Sequence, residues 1–510
     1  MKIICNLNLR KPSAASLWGL RAFLFLAVAV VCSCALYGGV KPVPALSGGI
    51  QVNESDHDRW VAAVQAAGLD SIQVTAYARQ VRWDSAEMIL PVEAAAVVKE
   101  IRSARRAGLR VVLVLRVALE HGIADNRHLW HGMIWPPDDQ VQAWFDGYLE
   151  FLVWGARLAE RERVDLLAVG SELNSLTSTV QVQELPNLYA YFLDSKRTGE
   201  VRARLVDCAS RVPAEYLEPD LEFRDGTRYE NLDSYLRADE KANRAWARKI
   251  TGASSGQSDL DVLNRRRAEY DQRWRQLIVE ARRHYRGPLT YAANFDQVEE
   301  VGFWDALDAI GVNAYYSLSR LGLNGTVLDK ELASSWRRIA GRLHALGRDA
   351  GKPGVSLPVI FLELGWTTKS GSTVRPFSYH RVEVLESVGD SVDGSPPLTC
   401  VHWATQTEDP GERVRAIAAL LEVVREGSFP TLRGFTLWKL STQFQHRAVE
   451  PFVVVLPTPG GTIAGAPSAG QPELTQLYAE QKVVNEADRR YLRVAAELAT
   501  ALRNAASMHK

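Results

Sequence analysis

Two glutamates in this 510-residue chain stand where a carboxylate could do acid–base or nucleophilic chemistry. Glu172 follows the apolar run at residues 166–170, and Glu363 directly follows the run at residues 358–362. Two carboxyls about 5–5.5 Å apart can protonate a leaving oxygen and attack the neighbouring carbon. Either glutamate alone is equally well explained as a helix cap or as the partner of a Lys or Arg. Whether the two glutamates form one site therefore depends on the strands and helices that carry them.

Short runs rich in Val, Ile and Leu alternate with longer amphipathic stretches, as in a parallel α/β fold. Eight strands are predicted, at residues 49–53, 71–75, 110–116, 166–170, 289–293, 309–315, 358–363 and 434–438. Helices are predicted between them at residues 57–67, 92–107, 141–160, 270–284, 330–350 and 411–425. This order predicts a TIM (β/α)₈ barrel, although an open doubly wound sheet has the same local pattern. In the barrel, Glu172 follows strand four and Glu363 ends strand seven, so both face the open mouth.

Other polar and aromatic residues are predicted to lie near the same mouth. Asn294 and Asp296 end the fifth strand in a cluster suited to sugar hydroxyls, or else form a local cap and turn. Aromatic residues that could line a sugar-binding wall are Trp130, His131 and Trp135 in the third loop and Trp403 after strand seven.

Composition shifts divide the chain into segments. The catalytic barrel is predicted over residues 47–456, with a charged insertion at about residues 180–268 after strand four. A linker rich in Gly, Pro and Ala follows at residues 457–472, and residues 473–510 are predicted to form an additional C-terminal helix.

The first 36 residues have a basic start followed by the apolar run at residues 22–36. This pattern is typical of an export signal, and it predicts a periplasmic, envelope-anchored or secreted protein. Three alternatives stay open, namely cleavage, lipidation at Cys34, or retention as a membrane anchor. Outside this leader the cysteines are Cys208 and Cys400, and the sequence leaves their pairing open.

Charge and motif content exclude several function classes. Lys plus Arg and Asp plus Glu balance at 60 each, so no general basic field would attract nucleic acid. The sequence has no zinc-like ligand spacing and no Gly-rich phosphate loop followed by Lys-Ser/Thr, so no cofactor is predicted. The carboxylate pair at the barrel mouth and the nearby aromatic rings lead us to expect a polysaccharide or oligosaccharide as the partner. Membrane attachment through the N-terminal segment is an option, and the oligomeric state is undetermined.

Several stretches resemble glycoside hydrolase clan A, and within it family 113, whose characterised members are β-1,4-mannanases. They are residues 130–148, 164–173, 274–318, 361–376 and 434–438, which cover most of residues 48–440 apart from the insertion. The resemblance implies that Glu172 is the acid/base and Glu363 the nucleophile of a retaining enzyme. It also implies that Tyr315 bonds the nucleophile and that Trp438 forms the floor below the reacting sugar. Asn313 lies two residues before Tyr315 on a strand and therefore points to the same side.

The ends of strands two and three depart from the family pattern. Strand three reads Arg116-Val117-Ala118-Leu119-Glu120 where the family has a Lys-Pro-His-like run, and strand two lacks the usual aromatic residues before Gln80. The leading hypothesis is a retaining hydrolase of a β-linked polysaccharide, with β-1,4-mannan as one candidate. The alternatives are a non-catalytic envelope carbohydrate-binding protein and a transglycosylase on the same barrel. The sugar, endo or exo attack, and the role of the insertion stay undetermined.

Overall fold

The computed structural model describes most of the chain from residue 42 onward. The described ranges are residues 42–90, 94–120, 123–177, 257–320, 327–351, 354–376, 407–448, 450–457 and 481–508, with short segments at 383–385, at 400–402 and between 221 and 250. The leader, most of the insertion, the linker and Trp403 lie outside these residues, so the predictions about them stay predictions.

Eight parallel strands close into a barrel, which confirms the predicted fold class. Each strand pairs with the next in chain order, and β8 returns to β1. The strands are β1 (Leu46–Gln51), β2 (Ser71–Gln80), β3 (Arg110–Leu119), β4 (Leu166–Ser171), β5 (Leu289–Asn294), β6 (Ile310–Asn313), β7 (Val359–Leu364) and β8 (Leu432–Ser441). Closure excludes the open doubly wound sheet, which has two free edges.

Helices cover the outside of the barrel. They are α1 (His57–Ala66), α2 (Ala94–Arg106), α3 (Val141–Arg161), α4 (Gln257–His284), α5 (Leu332–Ala350), α6 (Pro410–Arg425) and α7 (Lys482–Met508). The largest deviation from prediction is α4, which begins 13 residues before the predicted start at residue 270. Its Arg- and Asp-rich first half has little apolar periodicity, so the sequence pattern did not identify it as helix. None of the described helices is long and apolar enough to cross a membrane.

Two apolar layers follow from the alternation of side chains along the strands. One set of strand residues packs outward against the helices, as Val111, Leu113 and Leu115 of β3 do. The other set fills the barrel itself, and its members include Val112 and Val114 of β3, Leu166 and Ala168 of β4, and Ile360 and Leu362 of β7. This inner plug closes the lower part of the barrel, so only the upper ends of the strands form a cleft.

The helix α7 is joined to the barrel by a buried ion-pair cluster. The Asp488 carboxylate binds the guanidinium groups of Arg413 and Arg447, and it accepts a hydrogen bond from the Val455 backbone N–H at 2.8 Å. The Arg413 and Asp488 side chains are 0% and 1% exposed. A buried charge is tolerated only when it is paired and hydrogen-bonded, so each member of the cluster depends on the others.

We expect Asp488→Ala to lower the free energy of unfolding by about 3–5 kcal/mol, because Arg413 would remain buried without its counter-ion. Denaturant unfolding followed by tryptophan fluorescence measures this change. Glu486→Ala, at an exposed position on the same helix, is the matched control and should change stability by less than about 0.5 kcal/mol. Equal effects of the two substitutions would contradict this role for the cluster.

Candidate active site

The two glutamates reach the barrel mouth through irregular backbone. Glu172 follows β4 with φ of 52°, a left-handed conformation that is strained for a residue with a side chain. Its N–H donates to the Ala292 carbonyl at 2.9 Å, which fixes this conformation against β5. Glu363 follows a register shift after Phe361 in the pairing of β7 with β6. Since Leu362 already points into the barrel, regular alternation would turn Glu363 outward, and the shift instead turns it inward.

Arg116 is the cation between these carboxylates. It lies at the third consecutive inward position of β3, after Val112 and Val114. Its Nη2 atom contacts Oε2 of Glu172 at 3.4 Å and makes a shorter contact with Oε1 of Glu363. Two oxygens that share one donor nitrogen lie within about 6 Å of each other. The structure therefore brings together the two predicted carboxylates and joins them by a guanidinium.

Neighbouring polar side chains fix each carboxylate. The Tyr315 hydroxyl donates to Oε2 of Glu363 at 2.7 Å, as the resemblance implied. On the other side, Nε2 of His131 lies 3.0 Å from Oε2 of Glu172. Ser171 supports the guanidinium, because its Oγ accepts from Nε and Nη2 of Arg116 at 3.2 and 3.0 Å. The Glu172, Glu363 and Arg116 side chains are all at least nine-tenths buried.

The two carboxyls have separated pKa values. Burial raises the pKa of Glu363 to about 7, with the negative charge of Glu172 adding to the effect and Arg116 opposing it. For Glu172, burial acts in the same upward direction, but Arg116 and His131 outweigh it and lower the pKa to about 2. At pH values between about 2 and about 7 the pair therefore holds one proton.

Two of the remaining predicted site residues, Asn313 and Trp438, lie close to the carboxylate pair. Asn313 is fully buried beside the pair, where its side chain interacts with Glu172 and favours the ionised form of that carboxyl. Trp438 packs with Ile50, Tyr315 and Phe452, and the Arg116 guanidinium lies 5.6 Å from its ring centroid. The structure therefore brings both side chains to the carboxylate cluster.

The structure also describes three other residues that the sequence analysis selected, namely Asn294, Trp130 and Trp135. Asn294 is half-buried, and its Oδ1 accepts from the Phe295 N–H at 2.9 Å, which is the local cap that the sequence left open. Trp130 is half-buried and packs edge-on against His131 at 5.2 Å between ring centroids. Trp135 is buried, and the guanidinium carbon of Arg266 lies 4.3 Å from the centroid of the Trp135 ring. This ring therefore belongs to the core and not to a sugar-binding wall.

Sequence reasoning missed the roles of Arg116 and His131 as contacts of the carboxylates. Arg116 entered only as a departure from the family pattern, and His131 only as part of an aromatic wall. A signal for Arg116 was present, because an arginine at an inward position of an otherwise apolar strand must have a buried anionic partner. For His131 no comparable signal exists, since it lies in an irregular loop.

In the described part of the chain, no group of three or more His, Cys, Asp and Glu side chains is arranged to hold a metal ion.

Comparisons with known proteins give a family model that matches this chain and a set of similar solved structures. The model of Glycoside Hydrolase Family 113 matches residues 51–183 and 261–390, somewhat more than half of the chain. A solved GH113 β-1,4-mannanase complex is 16% identical, with a TM-score of 0.45 over 86% of this chain and 99% of that chain. The GH113 β-mannanase AaManA from Alicyclobacillus acidocaldarius, in complex with ManMIm, is 15% identical, with a TM-score of 0.46 over 86% and 98%. No curated protein matches the sequence.

Removing the shared cation should change the titration of both carboxyls. We expect Arg116→Gln to raise both pKa values of the pair, so that the upper value moves above about 7, because the attraction that favours the ionised forms is lost. Carboxyl ¹³C chemical shifts followed against pH measure this directly. Arg102→Gln, at an exposed ion pair with Glu162, is the control and should leave these shifts unchanged. An upper pKa that does not move would contradict the assigned role of Arg116.

Proposed function

Because this chain belongs to glycoside hydrolase family 113, we propose that it is a retaining β-glycoside hydrolase that cleaves a β-linked polysaccharide by double displacement. The observation that carries the proposal is the contact of one Arg116 nitrogen with both Glu172 and Glu363. Retaining glycosidases hold their two carboxyls about 5–5.5 Å apart, whereas inverting ones need about 6.5–9.5 Å to admit a water. Because one oxygen of each carboxylate contacts the same Arg116 nitrogen, the shorter separation, that of a retaining enzyme, is favoured.

Glu363 is the proposed nucleophile. Its carboxylate would attack the anomeric carbon and form a glycosyl-enzyme, while the glycosidic bond to the leaving oxygen breaks. The Tyr315 hydroxyl and the Arg116 guanidinium hold this carboxylate in one orientation, as near-attack geometry requires. Trp438, beside Tyr315, and the Asn313 amide, beside Glu172, are placed to contact the reacting sugar.

Glu172 is the proposed acid/base. It would first give its proton to the leaving oxygen and then take one from the water that cleaves the glycosyl-enzyme. The first step needs the single proton of the pair on Glu172, whereas the separated pKa values favour Glu363 in the free chain. In the complex, a glycosidic oxygen would take the place of His131 beside Glu172, which would remove a group that favours the ionised form of Glu172. The glycosidic oxygen could accept a hydrogen bond from Glu172 only when Glu172 is protonated. Substrate binding would then move the proton from Glu363 to Glu172.

The proposed substrate is a β-1,4-mannan or a related β-linked glycan. The solved family members named above are β-mannanases, which supports mannan as the first substrate to test. The mouth also departs from the family pattern, because Arg116 of β3 stands where the family has a Lys-Pro-His-like run. We further propose that the enzyme acts outside the cytoplasm, on the basis of the leader at residues 1–36.

The roles of the two glutamates are tested by Glu363→Ala and Glu172→Ala, assayed for reducing-end release on mannan, glucan and xylan. We expect loss of the nucleophile to lower kcat by about 10³-fold or more, and loss of the acid/base to lower kcat/KM by about 10²–10⁴-fold. Glu486→Ala, at an exposed position near the start of α7, serves as the control with full activity. A variant of either glutamate that keeps wild-type activity on the cleaved polysaccharide would refute its assignment.

The pH dependence of kcat/KM follows from the single proton that the pair holds. Above about 7 the pair loses this proton and no general acid remains, so the rate should fall about tenfold per pH unit. Towards the lower value of about 2, the second carboxyl also becomes protonated and the nucleophile is lost. Initial rates between pH 4 and pH 9 measure the upper limb. A rate that stays constant up to pH 9 would contradict this description of the pair.

A further inference from the structure

A third buried glutamate, Glu412, has no part in the mechanism described so far. It belongs to the first turn of α6 and is fully buried. Its own helix does not need it as a cap, because the Asp409 side chain already accepts from the Gly411 N–H at 3.1 Å. Burial raises the pKa of Glu412, and the charge of Asp409 adds to the effect. Glu412 also lies beyond residue 390, where the match to the family model ends.

The Glu412 carboxyl binds the loop that follows β7. Its Oε2 accepts from the Gly371 N–H at 2.8 Å, and its Oε1 accepts from both the N–H and the hydroxyl of Thr373 at 2.6 Å. Gly371 has a φ of 80°, in the left-handed region that favours glycine, and so forms the turn that directs these donors at one carboxyl. Thr373 is fully buried as well. A buried carboxyl of α6 therefore fixes the loop that leaves the nucleophile strand.

The Thr373 backbone extends this constraint to the loop that carries Tyr315. The Thr373 carbonyl accepts from the Leu318 N–H at 2.8 Å, and at the other end of that loop the Ala314 N–H donates to the Glu363 carbonyl at 2.7 Å. Tyr315 lies between these two anchor points, and its hydroxyl donates to Oε2 of Glu363 at 2.7 Å. Both anchor points belong to β7 or to the loop after it. The position of Thr373 therefore helps to set the position of the Tyr315 hydroxyl.

We propose that Glu412 and Thr373 are positioning residues of the active site, which hold the Tyr315 hydroxyl on the nucleophile Glu363. Neither residue touches the reacting atoms, and both act through the backbone of the loops after β6 and β7. The proposal rests on the proposed function, because it takes Glu363 as the nucleophile. The hydrogen bond from Tyr315 favours the ionised form of Glu363, which is the form that attacks.

The first test is Glu412→Gln in the full-length enzyme, assayed on the glycan that the wild-type chain cleaves. The amide keeps the size of the side chain but places an N–H group against the donors of the loop, so kcat should fall about tenfold. KM should stay near the wild-type value, because Glu412 has no contact with the mouth. The upper limb of the pH profile should move to higher pH, since a weaker hydrogen bond from Tyr315 raises the pKa of Glu363 above about 7. Arg116 and Glu172, the charged groups that face Glu363, are unchanged in this variant.

Substitutions of Thr373 test the same contact with less disturbance of the fold. Thr373→Val removes only the hydroxyl, so kcat should fall about threefold and the pH profile should move in the same direction. Thr373→Ser keeps the hydroxyl and should keep the wild-type kcat. Glu422→Gln, the same exchange at an exposed position of α6, is the matched control and should change neither kcat nor the pH profile. A Thr373→Val enzyme identical to the wild type would overturn the role of this hydroxyl even if Glu412→Gln is poorly folded.

A double-mutant cycle with Tyr315→Phe separates positioning from general damage. If Glu412 acts through Tyr315, then adding Glu412→Gln to Tyr315→Phe should lower kcat little further, because both remove one hydrogen bond. Losses that multiply in full, or a lower kcat with an unshifted pH profile, would overturn the proposal.

Titration of the Glu363 carboxyl by ¹³C chemical shift measures the same contact without substrate. Glu412→Gln should raise the pKa of Glu363 in this experiment, and an unchanged pKa would overturn the positioning role alone. If the wild-type chain cleaves no glycan of the panel, the proposed function fails. A raised pKa of Glu363 in the variant would then still support the link from Glu412 to Glu363.

Discussion

The active site depends on the ion pair that Arg116 forms with two buried carboxylates. Each of the three groups would be strongly destabilised alone in the apolar barrel, since an unpaired charge is expensive to bury. Because one guanidinium nitrogen contacts both carboxylates, it also fixes how far apart Glu172 and Glu363 lie. The left-handed backbone at Glu172 and the register shift before Glu363 are the local distortions that bring both side chains to this cation. The inner apolar plug beneath them keeps the contact at the mouth.

The same contact sets the protonation of the site. With a single positive charge facing two carboxyls, one carboxyl is held ionised and the other takes up a proton near neutral pH. A double displacement needs this combination of one acid and one nucleophile. His131 and Tyr315 each bind one carboxyl and so make the two environments different. The contact with Arg116 therefore both stabilises the two buried carboxyls and gives them different protonation states for catalysis.

Much of the architecture could be predicted from the sequence, because local patterns determine it. Apolar runs marked all eight strands, and their order placed Glu172 and Glu363 at the fourth and seventh strand ends. What could not be predicted depends on contacts between distant residues. The carboxylate contact of His131 spans 41 residues and begins in an irregular loop. The strands β1 and β2 pair only at Gly48 with Ser71 and at Gly49 with Ile72. This short pairing depends on interstrand register, about which the periodicity of one strand carries no information. The start of α4 was missed because charged residues hide its helical pattern.

The central claim is that Glu172 and Glu363 carry out a double displacement, and product stereochemistry tests it most directly. The wild-type enzyme is mixed with mannohexaose in an NMR tube, and the anomeric protons of the first products are recorded before mutarotation. Two successive inversions at the anomeric carbon restore its configuration. The account predicts that the new reducing ends appear first as the β anomer. Initial release of the α anomer would mean a single inversion by water, which would contradict the assignment of Glu363 as nucleophile.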